Sequence, residues 1–329
     1  MGYANEFSWS FSRSNLFNNC KRAYYYNYYA SHNGWDWNAA PGELAFEAYR
    51  LKKLTNKWGW LGSAVHTTAA QYLKATLAGK GFPVEQFVED TMRSQWAQSL
   101  DKGPYRPAHA TKLYEHVIEG TGDMAIVLEQ SITDAKEMLR TLVNSRLIAK
   151  ATTALKNNPA AWRSIERLES FSIDGTKVWV VMDFCFLSDK GKVCIVDWKT
   201  GKAKPIDAQQ LAIYAMFTQR QWMDRLEDIV LVDFYLKADN VEYNYVSQED
   251  IDGVKEKIRA SVEEMSNYVV GTSNTAKPIS EFEKASEDIT SEACKWCNFR
   301  PICYGQIEVK EPEKHVWTPS VVDEADIPF

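Results

Sequence analysis

Asp183, Asp197 and Lys199 carry side chains that bind divalent metals and phosphate, and they lie close together in the middle of the chain. Two runs of β-branched and aromatic residues hold them, and Asp189-Lys190-Gly191 separates the runs. A glycine at the last of three loop positions is typical of a hairpin, because that position takes the left-handed conformation. Folding the runs about this loop places Asp183 opposite Asp197 on one face, with Cβ atoms roughly 4.5–5.5 Å apart. Lys199 lies two residues beyond Asp197 and therefore shares that face.

This pair of facing acids predicts a metal site. Two opposed carboxylates repel each other on a bare sheet, and a divalent cation between them reverses the sign of the interaction. An alternative stays open at this point. The strand could face solvent with scattered charges, or a four-residue loop could shift the register and separate Asp183 from Asp197.

Two predicted helices bring further candidates. A helix over 61–77, with Ser63 as its N-cap, carries His66 in its first turn. A lone histidine on a helix is more often a packed or surface residue than a metal ligand. A helix over 207–221 follows the hairpin and holds Gln210 and Tyr214 at i, i+4, hence on one face. Their amide and hydroxyl groups could both reach a phosphate.

A cluster of cysteines near the end of the chain predicts a second site. Cys294, Cys297 and Cys303 form a C-x2-C-x5-C pattern, and three close thiolates need a fourth ligand for a closed tetrahedral site. Cys20 is the candidate for that ligand. Zinc and an iron–sulfur cluster are both compatible with this spacing, and free thiols are the remaining alternative. The other two cysteines, Cys185 and Cys194, lie in the hairpin and are interpreted as small packed hydrophobic residues.

The elements that position these residues change in type along the chain. Residues 1–160 form a mainly helical region, with a first helix capped by Ser12 or Ser14 and leading into a tyrosine cluster. Residues 161–275 form an α/β core, in which strands over 164–173 and 229–236 flank the hairpin. A helix over 247–270 closes the core, with Ser247 as N-cap and Asp250 completing a capping box. Residues 276–305 hold the cysteine cluster, and 306–329 form a flexible acidic tail.

Composition excludes several classes of protein. The chain has 329 residues and a net charge of −6, so a DNA-binding groove must be a local basic patch on an acidic surface. No apolar run approaches the ~20 residues that a membrane span needs, and the first residues do not form a signal region. We therefore expect a cytoplasmic protein without a membrane partner, in which cysteines are thiols or metal ligands. No G-x-x-x-x-G-K-[ST] phosphate loop occurs, which excludes a P-loop motor.

Taken in order, the motifs resemble those of the PD-(D/E)XK nuclease superfamily and, more narrowly, its RecB-type branch. The match spans roughly residues 10–304. The residues that carry it are Gly62 with His66, Asp183, Asp197 and Lys199 followed by Thr200-Gly201-Lys202, and Gln210 with Tyr214. The stretch around Cys20-Lys21-Arg22 is similar to the start of the iron–sulfur subset, which includes AddB-type nuclease domains and CRISPR-associated iron–sulfur exonucleases. The family often has glycine three residues before the first aspartate, where this chain has Val180.

The resemblance implies a fold, two cofactors and a set of roles. The fold is a restriction-endonuclease-like core, a mixed sheet flanked by helices, with a helical N-terminal half. His66, Asp183 and Asp197 would bind Mg²⁺ or Mn²⁺, aided by the backbone carbonyl of Trp198. Lys199 would orient a water or stabilise negative charge, while Gln210 and Tyr214 would position the substrate strand. The last implied feature is a 4Fe-4S cluster that joins the chain ends, held by Cys20, Cys294, Cys297 and Cys303.

The C-terminal residues Asp326, Ile327, Pro328 and Phe329 resemble the acidic tip of bacterial single-stranded-DNA-binding proteins. Such a tip docks its phenylalanine and terminal carboxylate into pockets on DNA-repair proteins, and capture of a C-terminal carboxylate beside an apolar anchor is a known recognition mode. The resemblance implies that bacterial repair proteins are partners. The alternative is a tail that only solubilises the protein.

These observations predict a metal-dependent DNA exonuclease from a bacterium or a phage. It would act on single-stranded DNA or DNA ends in repair, recombination or replication, alone or beside a separate helicase. The alternative is a catalytically weak module that binds DNA or repair proteins and uses its tail to recruit or inhibit host repair proteins. The complete set of Asp183, Asp197 and Lys199 favours the enzyme.

Overall fold

The computed structural model describes residues 5–36, 39–40, 42–101, 111–120, 124–202, 207–222, 224–271 and 274–310. The N-terminal segment contains α1 (Phe11–Asn19), α2 (Lys21–Tyr25) and a π-helical turn (Tyr26–Ala30). The predicted cap of α1 was wrong, since Ser10 rather than Ser12 or Ser14 accepts the hydrogen bond from Arg13 N, at 3.1 Å. The residues before the helix run alongside a strand and so fix where the helix begins.

The next part of the chain is helical, as predicted. Its helices are α3 (Leu44–Lys52), α4 (Lys57–Leu77), α5 (Val84–Leu100), α6 (Tyr114–Val117), α7 (Ala125–Asn144) and α8 (Arg146–Asn157). The predicted start of α4 was wrong. Asn56 caps the helix, since its side chain accepts a hydrogen bond from Gly59 N at 2.9 Å. Trp60, only 1% exposed, adds a turn to the buried face of the helix. Ser63 therefore lies inside α4, and His66 lies in the middle of the helix.

A five-stranded mixed sheet forms the centre of the molecule. Its strands are β1 (Trp162–Ser164), β4 (Phe184–Leu187), β5 (Val193–Lys199), β6 (Ile229–Tyr235) and β7 (Asn240–Asn244), in the order β1-β4-β5-β6-β7. Helix α9 (Asp207–Trp222) crosses over between β5 and β6, which are parallel, and the other neighbours are antiparallel. β2 (Arg167–Ile173) and β3 (Thr176–Met182) form a separate antiparallel ribbon.

The central hairpin keeps the predicted loop and register. Gly191 has a φ of 73°, and Ser188 N donates to Lys192 O at 2.8 Å across the loop. Phe184 pairs with Val196, so Asp183, one residue before β4, lies opposite Asp197. The first run of the hairpin is not continuous, however. It breaks at Asp183, with β3 pairing to β2 and β4 pairing to β5.

The two faces of the central sheet pack against different helices. Val196, Trp198 and Phe234 belong to the core shared with α4, α7 and α8. Ile195 and Leu231 belong to the core shared with α9 and α10 (Gln248–Ser266). This alternation also separates the two hairpin cysteines as predicted, because Cys185 packs on the α9 side and Cys194 against the opposite core.

The C-terminal part returns to the N-terminal helices. Helix α10 has the predicted capping box of Ser247 and Asp250 but ends at Ser266, since Val269–Val270 forms β8 and pairs with β9 (Thr275–Ala276). Two short helices follow, α11 (Glu292–Lys295) and α12 (Arg300–Cys303). The described residues therefore form the predicted α/β fold with a mixed sheet flanked by helices. Among them, no helix is long and apolar enough to cross a membrane.

Candidate active site

A cleft of about 700 Å³ lies where β3 and β5 end and β4 begins, and α9 forms one of its walls. Its lining includes all six side chains that the sequence predicts for metal binding and catalysis: His66, Asp183, Asp197, Lys199, Gln210 and Tyr214. The strand break places the buried Asp183 in the lining of this cleft, and the crossover from β5 to α9 brings Lys199, Gln210 and Tyr214 to the same side.

Asp183 and His66 form the centre of a potential metal site. His66 Nδ1 lies 3.2 Å from Asp183 Oδ1 and 3.0 Å from Glu166 Oε1. In the described part of the chain, this is the one group of three ligand atoms that lie within 4.8 Å of one another. Octahedral coordination at 2.0–2.1 Å gives adjacent ligands a separation of about 2.9 Å. The two distances from His66 therefore suit a small divalent cation.

Glu166 was missed at the level of the sequence. It lies between β1 and β2, where the predicted strand over 164–173 is interrupted, and its φ of 45° is unusual for a residue with a side chain. Its N–H donates to Met182 O at 2.9 Å, with Asp183 O at 3.3 Å. These bonds hold the Glu166 backbone against the strand break, and this arrangement aims its carboxylate at His66. The only signal in the sequence is a glutamate that interrupts a strand pattern. This signal is weak, since the contact with His66 spans 100 residues and local periodicity does not reveal it.

Asp197 and Lys199 occupy the floor of the cleft. The Lys199 ammonium is 2.5 Å from Asp197 Oδ2, and both side chains are largely buried. Asp183 Oδ2 accepts a hydrogen bond from Trp198 N at 2.9 Å, which ties the two acidic segments together. Trp198 points to the opposite face, where it is 1% exposed and stacks on Phe184. The structure thus places Asp197 beside the lysine, while Glu166 is the second carboxylate next to His66.

The protonation of the site reflects its crowded acids. Burial, and then the charge of Asp197, raise the pKa of Asp183 to about 7 against the opposing effect of His66. Burial alone would lower the pKa of His66, but Asp183 and Glu166 outweigh it and hold this pKa well above the usual value of 6.5. A buried carboxylate that resists ionisation beside two other acids is an environment that a bound cation would stabilise.

Helix α9 adds a chain of hydrogen bonds above the lysine. Lys199 Nζ donates to Gln210 Oε1 at 3.5 Å, and Gln210 Nε2 donates to the Tyr214 hydroxyl oxygen at 2.6 Å. Burial is the main reason that the pKa of Tyr214 lies well above 10, so its hydroxyl stays protonated. The predicted i, i+4 pair therefore faces the cleft as a row of polar groups.

Asp233 is a further acid that sequence reasoning missed. It lies on β6, pairs in register with Asp197 on β5, and is 4% exposed. Its Oδ1 is 4.0 Å from Lys199 Nζ, and Asn244 Nδ2 donates to its Oδ2 at 3.4 Å. The signal in the sequence is an aspartate within the apolar run Ile229–Tyr235, a position where a charged residue needs a partner.

The four predicted cluster cysteines gather where the chain ends meet. Cys20 caps α2, with its Sγ accepting from Ala23 N at 3.4 Å, and Cys294 Sγ lies 3.3 Å from the Tyr304 hydroxyl. Cys20, Cys297 and Cys303 pack against the same apolar cluster. Burial is the main reason that the pKa of Cys297 is raised to about 12, and the other three cysteines are close enough to contribute to this rise.

The cysteine sulfurs are not packed as closely as a zinc site requires. In a tetrahedral zinc site with Zn–S bonds of about 2.3 Å, neighbouring sulfurs lie about 3.8 Å apart. Across the described residues, no three cysteine sulfurs lie within 4.8 Å of one another. The predicted tail residues Asp326, Ile327, Pro328 and Phe329 lie outside the described residues.

Comparisons with known proteins give a family match and include solved structures with partial similarity. The family model of the PD-(D/E)XK nuclease superfamily matches residues 8–304. A solved structure of a candidate exonuclease from Eubacterium rectale is similar at 11% identity and a TM-score of 0.38, covering 83% of this chain and 89% of that chain. A second, SSO0001, is similar at 16% identity and a TM-score of 0.26, covering 55% of this chain and 81% of that chain. No curated protein matches the sequence.

Proposed function

Since this chain belongs to the PD-(D/E)XK nuclease superfamily, we propose that it is a metal-dependent DNA exonuclease that hydrolyses phosphodiester bonds of single strands or DNA ends. The observation that carries the proposal is the convergence of His66, Asp183, Asp197 and Lys199 in one cleft. A binding module has no need to bring Asp183, Asp197 and Lys199 together in one cleft, because burying charged groups is costly even when they are paired.

The donor set fits Mg²⁺ or Mn²⁺. His66, Asp183 and Glu166 offer one nitrogen and two carboxylate oxygens within 4.8 Å of one another, and Asp197 adds a carboxylate in the same cleft. A mixed histidine and carboxylate set suits Mn²⁺ in particular. A divalent cation bound here supplies positive charge to the scissile phosphate and lowers the pKa of water.

The remaining residues have roles that follow from their positions. The Lys199 ammonium, fixed by Asp197, donates a hydrogen bond to the attacking water or to a phosphate oxygen on which negative charge develops. Gln210 and Tyr214 donate to the phosphate of the bound strand and hold it in line with the attacking water. Attack forms a new P–O bond and breaks the bond to the leaving sugar oxygen.

We further propose that Cys20, Cys294, Cys297 and Cys303 hold a 4Fe-4S cluster, as in the RecB-type iron–sulfur branch. The C-x2-C-x5-C spacing, with Cys20 close to the other three thiols, supports this proposal, and a zinc ion on the same four thiolates is the alternative. The N–H of Ala23 that points at Cys20 Sγ would stabilise the charge of a bound thiolate. The role of such a cluster is structural, since it joins segments from the two chain ends.

The biological setting is part of the same proposal. The enzyme acts in bacterial or phage DNA repair, recombination or replication, inside the cytoplasm of the bacterial cell, and a separate helicase is a compatible partner. Its tail, ending in Ile327-Pro328-Phe329, recruits proteins that bind the tip of single-stranded-DNA-binding protein. A pull-down with the full chain and a variant lacking Phe329 tests this, since equal recovery of repair proteins contradicts the role of the tail.

The experiment that tests the enzyme is digestion of DNA labelled at either end. Mn²⁺ supports degradation and EDTA stops it, while Asp197→Ala and Lys199→Ala abolish it with the circular dichroism spectrum unchanged. Asp189→Ala and Lys190→Ala are matched controls, because both residues lie exposed in the loop of the same hairpin. Full activity in the purified Asp197→Ala protein would exclude the assigned site.

A further inference from the structure

The outer face of the β2–β3 ribbon carries an apolar surface beside the candidate active site. Leu168 is 61% exposed and Val181 is 36% exposed, and the two residues are directly paired across the strands. Directly paired residues of antiparallel strands have side chains on the same face, so they form one continuous patch. Trp179, half-buried, lies next on the same face, and we name these three residues the ribbon face.

The ribbon face belongs to the active-site cleft. All three of its residues line the same cavity as Asp183, Asp197 and Lys199. Val181 precedes Asp183 by two residues, so the apolar wall begins directly at the acidic floor. A strand whose phosphate reaches this floor therefore extends along the ribbon face.

Two lysines lie beside this wall. Lys202 is exposed on the segment after β5 and lines the same cleft, and the Lys177 ammonium lies 3.9 Å from the centre of the Trp179 ring. Grooves for single-stranded nucleic acid combine cations that follow the backbone with apolar or aromatic side chains that contact the bases. The ribbon face has this combination, although the net charge of the chain is −6.

We propose that the ribbon face binds the unpaired bases of single-stranded DNA and thereby selects single strands as the substrate of this cleft, an inference that rests on the proposed nuclease function. In a duplex, stacking hides the faces of the bases, so only an unpaired base offers an apolar surface to Leu168, Trp179 and Val181. Apolar side chains that contact exposed base faces are a known device of proteins that bind or open DNA. The cations at the rim bind the backbone of the same strand.

Binding without turnover tests this proposal independently of catalysis. Fluorescence anisotropy in EDTA compares a labelled thymidine oligonucleotide with a strand of equal length that carries abasic sites. We expect the wild type to prefer the base-bearing strand by about tenfold, the effect of burying one apolar side chain. The double variant Leu168→Asn/Val181→Thr loses this preference, while its affinity for the abasic strand stays the same.

The variants are chosen so that folding does not obscure the result. Leu168 and Val181 are exposed, so their replacement leaves the core intact, and Tyr243→Ala on β7 is a control at another exposed apolar residue, 59% exposed. A preference that survives in the double variant, or an equal loss of affinity for both strands, overturns the proposal. A wild-type dimer in light scattering that the double variant dissociates would also overturn it, since a second copy would then occupy the face.

End-label digestion separates this proposal from the nuclease assignment. A wild type that discriminates bases but does not cut DNA with Mn²⁺ would reject the nuclease function and leave base binding supported. A wild type that cuts DNA, with a double variant that cuts single strands at unchanged KM, would reject the ribbon face alone.

Discussion

Asp233 lies directly beside Asp197, since the parallel strands β5 and β6 pair these two residues in register. Both carboxylates are 4% exposed, and both face the Lys199 ammonium, at 4.0 Å from Asp233 and 2.5 Å from Asp197. Carboxylates on two neighbouring strands therefore lie near the Lys199 ammonium. The arrangement makes Asp233 a positioning residue that acts on the substrate through the lysine.

We predict that Asp233→Asn lowers kcat by about 10- to 100-fold with little change in KM, because a small displacement of a catalytic group has an effect of this size. Steady-state digestion of an end-labelled oligonucleotide measures both constants. Glu242→Gln is the matched control, because Glu242 pairs with Asp233 from β7 but is exposed. A variant with normal kcat would show that Asp233 is not needed to position the lysine.

Glu166 and His66 lead to a second prediction. Replacing Glu166 with glutamine removes one charged oxygen next to His66, so the affinity for Mn²⁺ falls by about 10- to 100-fold. Titration of Mn²⁺ against thermal stability measures this affinity without requiring turnover. Asp189→Asn should leave the titration unchanged, and an unchanged midpoint for Glu166→Gln would remove Glu166 from the metal site.

The cysteines give a third prediction, on the nature of their cofactor. Anaerobically purified protein should be brown, and Cys20→Ser or Cys297→Ser should remove the visible absorption and lower the melting temperature. Cys194→Ala is the control, because Cys194 packs in the hairpin core away from the chain ends. A colourless wild type that contains zinc by elemental analysis would contradict the iron–sulfur assignment.

His116 provides a prediction on pH. Burial and the neighbouring Lys112 lower the pKa of His116 below its usual value of 6.5, and Ser99 Oγ lies 2.7 Å from its Nδ1. The native state thus binds fewer protons at this group than the unfolded state does. Its contribution to the free energy of unfolding is present above pH 6.5 and is lost as the pH falls through the native pKa.

Urea unfolding of wild type and His116→Gln at pH 7.5 and pH 5.5 checks this expectation. The difference in stability between the two proteins should be smaller at pH 5.5. At this pH the unfolded wild type binds a proton at His116 more readily than the native state does, and the variant has no such group. A stability difference between wild type and His116→Gln that grows at low pH would contradict this expected direction of the pH dependence.

The positions of Asp183 and Asp197 could be predicted from sequence because a hairpin is local. A three-residue loop with glycine at its end sets the register, and alternation then fixes the face of every side chain. The same logic predicted Gln210 and Tyr214, since helical periodicity is equally local. These residues need no knowledge of the rest of the molecule.

Glu166 and Asp233 escaped prediction for the opposite reason. Glu166 contacts His66 across 100 residues, and its direction depends on a strand break that alternation does not reveal. Asp233 becomes a neighbour of Asp197 only through a parallel pairing that requires the crossover helix. The start of α4 was misplaced because the buried Trp60, a tertiary feature, decides where that helix begins.

The contacts between the two ends of the described chain have a consequence for the order of folding. Arg22 Nε donates to Phe282 O across 260 residues, and Asn298 Nδ2 donates to Leu54 O across 244. Closing loops of this length has an entropic cost, so these contacts form late. During synthesis, a ribosome-bound chain can already contain Asp183, Asp197 and Lys199 before the C-terminal residues that contact its N-terminal helices have been made. The contacts between the two ends would then form only after the C-terminal residues are made, later than the catalytic residues come together.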